Sequence, residues 1–336
     1  MVMPTKHCHL VLLAMLALTD MSHAQPASRP TTSKLWKTIH DTVLHDAKRD
    51  KDLRVTIRIP DAPGPHPLIV FSHGAGGAGE NYALLADSWA RKHYVVIQPT
   101  HGDSISLMDG EERRKLRPRD VVIDAVTDVK GWEERARDVT FVLDSLDDLE
   151  RVAPALKGKI DRERIGVGGH SYGAMTTAIV AGAKIRTKVG GELQSLADPR
   201  VKAAVVMSGQ GEGQMGFTEG SWDEVKVPMM VMTGSEDRGA KGQDPMWRKA
   251  PFEHSPAGGK YWVFIHGATH MSFSGRDVML ADLGKGGERK AIFAVITRTT
   301  AAFWDAHLRG DANARKRLES GEAVKDERVK VDFEQR

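Results

Sequence analysis

Gly169-His170-Ser171-Tyr172-Gly173 follows directly on the apolar run Ile165–Val167. The pattern is that of a buried strand turning sharply into a helix with a serine at the apex. Such a turn strains the serine backbone and lifts its hydroxyl out of the end of the sheet. Glycine is required two positions to either side, because a Cβ there collides with the neighbouring strand or helix. The pentapeptide alone carries little weight. With 33 glycines among 336 residues, G-x-S-x-G arises by chance roughly 0.2 times. Its meaning depends on what surrounds it.

Short apolar runs alternate with amphipathic stretches on both sides of the pentapeptide, which predicts a mostly parallel sheet with helices on both faces. Leu53–Ile59 alternates apolar and polar side chains and is expected to be an exposed edge strand. Pro67–Phe71 reads as a buried strand ending in Ser72-His73-Gly74-Ala75-Gly76-Gly77. A helix over Asn81–Lys92 leads to a strand at Tyr94–Gln98 and a turn through Asp103. Trp132–Leu149 carries a helical apolar stripe of Ala136, Val139, Val142, Leu143 and Leu146. After the helix Ala174–Ala183 come strands at Val201–Met207, Pro228–Met232 and Tyr261–Ile265, then a long helix over Arg289–Leu308. No linker divides the series, so residues 51–310 are expected to form one α/β domain. Residues 25–50 are read as a leader and a first helix, and 311–336 as a charged, solvated C-terminal extension.

Residues 1–24 have the make-up of a secretory signal peptide. Lys6 supplies the positive start, Leu10–Leu18 the apolar centre, and Ser22-His23-Ala24 a small-residue cleavage site before Gln25. The apolar centre is shorter than the roughly 20 residues of a bilayer span. The only cysteine is Cys8, inside that segment. A mature chain therefore has no disulfide, no cysteine nucleophile and no thiolate metal ligand. The formal charge of +3 is nearly balanced, with both signs interspersed and no basic amphipathic stretch. Nothing points to nucleic acid or to stable membrane insertion.

A serine hydroxyl needs a base to take its proton, and the base needs a carboxylate to fix its tautomer. In parallel-sheet enzymes such groups come from loops at the carboxyl ends of different strands. Asp237, in Thr233-Gly234-Ser235-Glu236-Asp237, follows the strand ending at Met232. His270, in Gly267-Ala268-Thr269-His270, follows the strand ending at Ile265. An aspartate in such a turn is by itself usually a cap, but the order serine, acid, histidine behind a nucleophile elbow makes Ser171, Asp237 and His270 the candidate triad. Glu236 and Glu212 are rivals for the acid, and His266 for the base. Developing oxyanion charge calls for backbone donors. The Tyr172 N–H supplies one and the His73–Gly77 loop the other, at Ala75. That loop lacks the spacing of a phosphate cradle. His73 is read as shaping it by hydrogen bonding, with no chemistry of its own. No metal or organic cofactor is implied.

These motifs, His73-Gly74-Ala75-Gly76, Gly169–Gly173, Gly234-Ser235-Glu236-Asp237 and Gly267-Ala268-Thr269-His270, resemble those of the α/β-hydrolase family from about Leu53 to Leu308. Val70-Phe71-Ser72-His73-Gly74 and Gly168–Gly173 look like the dienelactone-hydrolase-like and platelet-activating-factor-acetylhydrolase-like branch. The resemblance implies the α/β-hydrolase fold and ester hydrolysis. Two departures stand out: dienelactone hydrolases carry a cysteine where Ser171 stands, and the acetylhydrolases place their acid one strand earlier, near Ser208. The expectation is an exported serine esterase acting on a small-molecule or lipid-like ester. A peptidase or amidase, an acyltransferase, a cofactor-free haloperoxidase and a catalytically silent binding protein are its competitors. Residues 104–130 and 209–224 show no readable periodicity. Trp132, Trp222 and Trp247 either line an acyl pocket or pack in the core.

Overall fold

The computed structural model describes residues 35–279 and 286–336. The expected signal peptide and the leader segment Gln25–Ser33 lie outside the described residues. The framework is one nine-stranded sheet, built from β1 (Trp36–Asp46), β2 (Lys51–Pro60), β3 (His66–Ser72), β4 (Val95–Thr100), β5 (Ile160–His170), β8 (Val201–Met207), β9 (Met229–Glu236), β10 (Lys260–Thr269) and β11 (Val331–Gln335). Two short strands, β6 (Lys184–Arg186) and β7 (Leu193–Ser195), form a separate hairpin. The order across the sheet is β1-β2-β4-β3-β5-β8-β9-β10-β11. The six strands from β4 to β10 run parallel, and antiparallel strands close both edges.

Period-two side-chain alternation splits each central strand between two cores. Leu68, Val70, Ile165, Val167, Val206 and Val231 pack on one face against the helices Val129–Asp144 and Tyr172–Val180. Ile69, Phe71, Val205, Met207, Met230 and Val263 pack on the other against the helices Ala83–Ala90 and Gly286–Leu308. Burial on both faces explains the unbroken apolar runs of these strands.

Three expectations are corrected. Leu53–Ile59 lies inside the sheet between β1 and β4. Of its polar positions only Arg54 faces solvent; Thr56 and Arg58 are buried, and Arg58 pairs with Asp87 and Gln98. Residues 36–46 form the edge strand β1 and not a helix, in keeping with the β-branched Thr38, Ile39, Thr42 and Val43. The C-terminal segment is not a solvated extension. The helix Ala312–Glu319 buries Ala314 and Leu318, and β11 pairs with β10 from Tyr261↔Gln335 to Ile265↔Val331.

The parallel strands all point their carboxyl ends to one side. The residues that follow β3, β4, β5, β8, β9 and β10 therefore gather along one edge of the sheet.

Candidate active site

Ser171 follows β5 with φ 58° and ψ −117°, a left-handed conformation rare for a residue with a side chain. Its N–H donates to the Met207 carbonyl across 2.9 Å. The flanking glycines are forced by contact. A Cβ on Gly169 would lie 2.1 Å from the Gly173 carbonyl oxygen, and one on Gly173 would lie 2.0 Å from the Ser72 carbonyl oxygen. The elbow is thus pressed between β3 and its own helix.

Ser171 Oγ lies 2.9 Å from His270 Nε2, and His270 Nδ1 lies 2.8 Å from Asp237 Oδ1. Asp237 is fully buried, whereas the His270 side chain keeps 27% of its surface open. Thr233 Oγ1 donates to Asp237 Oδ2 at 2.7 Å, and Arg248 Nη2 stands 3.1 Å from Oδ1. Burial alone would raise the Asp237 pKa, but the His270 and Arg248 charges outweigh it and hold the carboxyl at about 2. Arg248 is itself fixed by the Ser208, Gly209, Asp237 and Arg238 carbonyls.

The three rivals stand elsewhere: Glu212 pairs with His254, His266 with Asp332, and Glu236 is exposed. Trp132 and Trp222 are buried core residues, and Trp247 donates its indole N–H to the Glu212 carbonyl.

The turn after β3 comes close to Ser171, so that a Cβ on Gly74 would sit 3.4 Å from the Ser171 Cβ. Gly74 N–H donates to Tyr82 Oη and Gly76 N–H to Asp103 Oδ2. Between them, the Ala75 N–H has no protein acceptor among the described residues. Tyr172 begins the helix Tyr172–Val180, so its N–H has no intrahelical partner and points with the positive end of the helix dipole.

His73 shapes this turn as expected. Its Nε2 accepts from the His101 N–H at 2.9 Å, so Nδ1 carries the proton and donates to the Gly74 carbonyl at 2.6 Å. Burial, seconded by Arg135, holds His73 well below its ordinary pKa and keeps it neutral.

Arg135 was not read from the sequence. Its guanidinium donates to the His73 carbonyl at 2.6 Å and to both oxygens of Asp103 at 2.8 and 2.9 Å. It also lies 4.0 Å over the Tyr172 ring. Asp103, anchored by Arg135, in turn holds Gly76. The turn after β3 is therefore clamped by an ion pair.

Residues 105–127 cover the turn with the helices Gly110–Lys115 and Pro118–Thr127. Ile105 N–H bonds the Gly76 carbonyl, and Ile105 and Val121 fill the space against Gly76. Among the described residues, no group of histidine, cysteine and carboxylate side chains could hold a metal ion. No described helix is long and apolar enough to cross a membrane.

Comparisons with known proteins agree with this architecture. The model of the alpha/beta hydrolase family matches residues 69–315. A platelet-activating factor acetylhydrolase from Cavia porcellus is 25% identical over 172 residues, which are 43% of this chain and 36% of that protein. The chain thus spans about a third of the length of this curated relative. A solved ferulic acid esterase from Streptomyces cinnamoneus superposes with a TM-score of 0.58 at 20% identity, covering 90% of this chain and 98% of that one. At that identity the likeness speaks to the fold.

Proposed function

The chain belongs to the alpha/beta hydrolase family, and from that premise we propose that it is an exported serine esterase working through an acyl-enzyme on Ser171. One observation carries the reading: the unbroken chain from Ser171 Oγ through His270 to the buried Asp237. His270 takes the Ser171 proton as the hydroxyl attacks an ester carbonyl, and Asp237 stays ionised to orient the imidazolium. The Tyr172 and Ala75 amides hold the tetrahedral oxyanion. His270 then protonates the leaving alcohol, and water activated by the same histidine releases the acid.

Ester rather than amide hydrolysis is favoured by the company the chain keeps, since both relatives are named for ester substrates or acetyl hydrolysis. Export rests on the composition of residues 1–24, and intact-mass analysis of the protein recovered from its native host should find an N-terminus at Gln25. Ser171→Ala should abolish turnover of p-nitrophenyl acetate while circular dichroism stays native. Retained turnover in that variant would remove the proposal. A matched ester and amide pair decides between esterase and amidase.

A further inference from the structure

Tyr82 and His170 take no part in the steps above, yet they join the two halves of the site. The Gly74 N–H can only donate, and it donates to Tyr82 Oη at 3.1 Å. The tyrosine hydrogen is then free for His170 Nδ1, 2.8 Å away. With Nδ1 accepting, the proton of a neutral imidazole sits on Nε2, which lies 2.8 Å from the His270 carbonyl oxygen. Only one direction satisfies every member: Gly74 amide to Tyr82, Tyr82 to His170, His170 to His270.

Both side chains are buried. Burial first, and the neighbouring His270 second, hold His170 well below its ordinary pKa, which keeps it neutral and the direction intact. The rings are also packed in place. His170 tilts over the His270 ring at 4.6 Å and stacks on Phe273, while Tyr82 lies 5.0 Å from Phe71.

We propose that Tyr82 and His170 are positioning residues that set the spacing between the oxyanion turn and the catalytic base. The relay ties the peptide of Gly74, next to the Ala75 donor, to the peptide of His270. Ser171 sits between these two fixed points. The inference rests on the esterase reading, and its consequence is felt in the transition state, where oxyanion donor and base must both be in place.

The test is steady-state hydrolysis of p-nitrophenyl acetate by the full chain, with active sites counted by fluorophosphonate titration and thermal melts run alongside. Tyr82→Phe removes one oxygen and keeps the ring; kcat should fall about tenfold with KM within about twofold. In His170→Asn the amide reaches only the Nδ1 position and loses the donation to His270, so kcat should fall about a hundredfold. In His170→Gln the amide reaches the Nε2 position and should restore kcat to within about tenfold of the parent. Unchanged kcat in both Tyr82→Phe and His170→Asn, with Ser171→Ala inactive, would overturn the positioning role and leave the esterase standing. Equal losses in His170→Gln and His170→Asn would also overturn it, since packing alone then suffices. An active Ser171→Ala would instead overturn the esterase reading beneath it.

Discussion

Among the described residues, two serine–histidine–aspartate chains of hydrogen bonds stand in opposite surroundings. In the first, Ser171 meets His270 at 2.9 Å and His270 meets Asp237 at 2.8 Å. In the second, Ser72 Oγ lies 3.1 Å from His101 Nε2, and His101 Nδ1 lies 2.9 Å from Asp138 Oδ2. The residue types, their succession along the hydrogen bonds and the ring nitrogens used are the same, although in the sequence the aspartate precedes the histidine in the first chain and follows it in the second. What differs is the surroundings. Ser72, His101 and Asp138 are all buried, and Ser72 ends β3 without the left-handed backbone that lifts Ser171 out of the sheet. The other oxygen of Asp138 is taken by Arg49 at 2.8 Å and Lys51 at 2.6 Å. The lesson is that the three side chains do not make a catalytic site. Only the chain at Ser171 also has solvent access, a strained serine backbone and backbone N–H groups left free beside it.

Truncating each serine to alanine separates the two chains most sharply. Ser171→Ala is expected to lower kcat on p-nitrophenyl acetate by about 10⁴-fold or more. Ser72→Ala should leave kcat within about threefold, because its hydroxyl only satisfies a buried histidine. A fluorophosphonate adduct located by peptide mass spectrometry should fall on Ser171 alone. Labelling at Ser72 would mean that the second chain opens to solvent and that burial does not silence it.

The aspartates separate chemistry from stability. Asp237→Asn should cost about 10³- to 10⁴-fold in kcat, since the amide no longer enforces the His270 tautomer. Asp138→Asn instead faces Arg49 and Lys51 with a neutral amide. The cost should be about 3 kcal/mol of folding stability, at the low end for a broken buried pair because both cations keep some solvent contact. Urea melts read this directly, and kcat per titrated active site should stay within about tenfold. If Asp138→Asn lost activity at full stability, the second chain would be acting on the chemistry.

The two chains were unequally legible in the sequence, for physical reasons. Ser171, Asp237 and His270 each follow a strand in a parallel sheet, and topology alone brings such positions to one edge. Pattern and order thus sufficed to place them together. Arg135 and Asp138 left a weaker trace. Both fall on the apolar stripe of the helix Val129–Asp144, beside Val139 and Val142, where a charge has to find a partner. Tyr82 and Arg248 left none. Their contacts cross 88 residues to His170 and 39 to Gly209, and no local period encodes such pairings. The sheet edges were less legible because edge position is set by pairing across the sheet: β1 has β-branched residues of its own but takes the edge by pairing with β2, and the charged β11 is a strand through its pairing with β10.

The smallest expected effect is one the two chains share. Asp237 and Asp138 are each held at about 2. Burial opposes this in both, but the His270 and Arg248 charges outweigh it at Asp237, and His101 and Lys51 outweigh it at Asp138. Both values lie below the roughly 3.9 of an unfolded aspartate. The folded state therefore binds fewer protons than the unfolded state, and each carboxylate contributes stability that is fully present above about pH 4. As pH falls from there through about 2 the contribution is lost, on the order of 2 kcal/mol for each residue. Denaturant melts at pH 6, 4 and 3 should show a flat upper range and a decline only at the lowest pH. Asp138→Asn and Asp237→Asn should each make that decline shallower by a similar amount, although only the first is expected to keep its turnover. A decline of unchanged steepness in either variant would show that its aspartate is not held ionised in the folded protein. Any loss of turnover above about pH 4 must then arise from groups other than these two carboxylates, because both stay charged throughout that range.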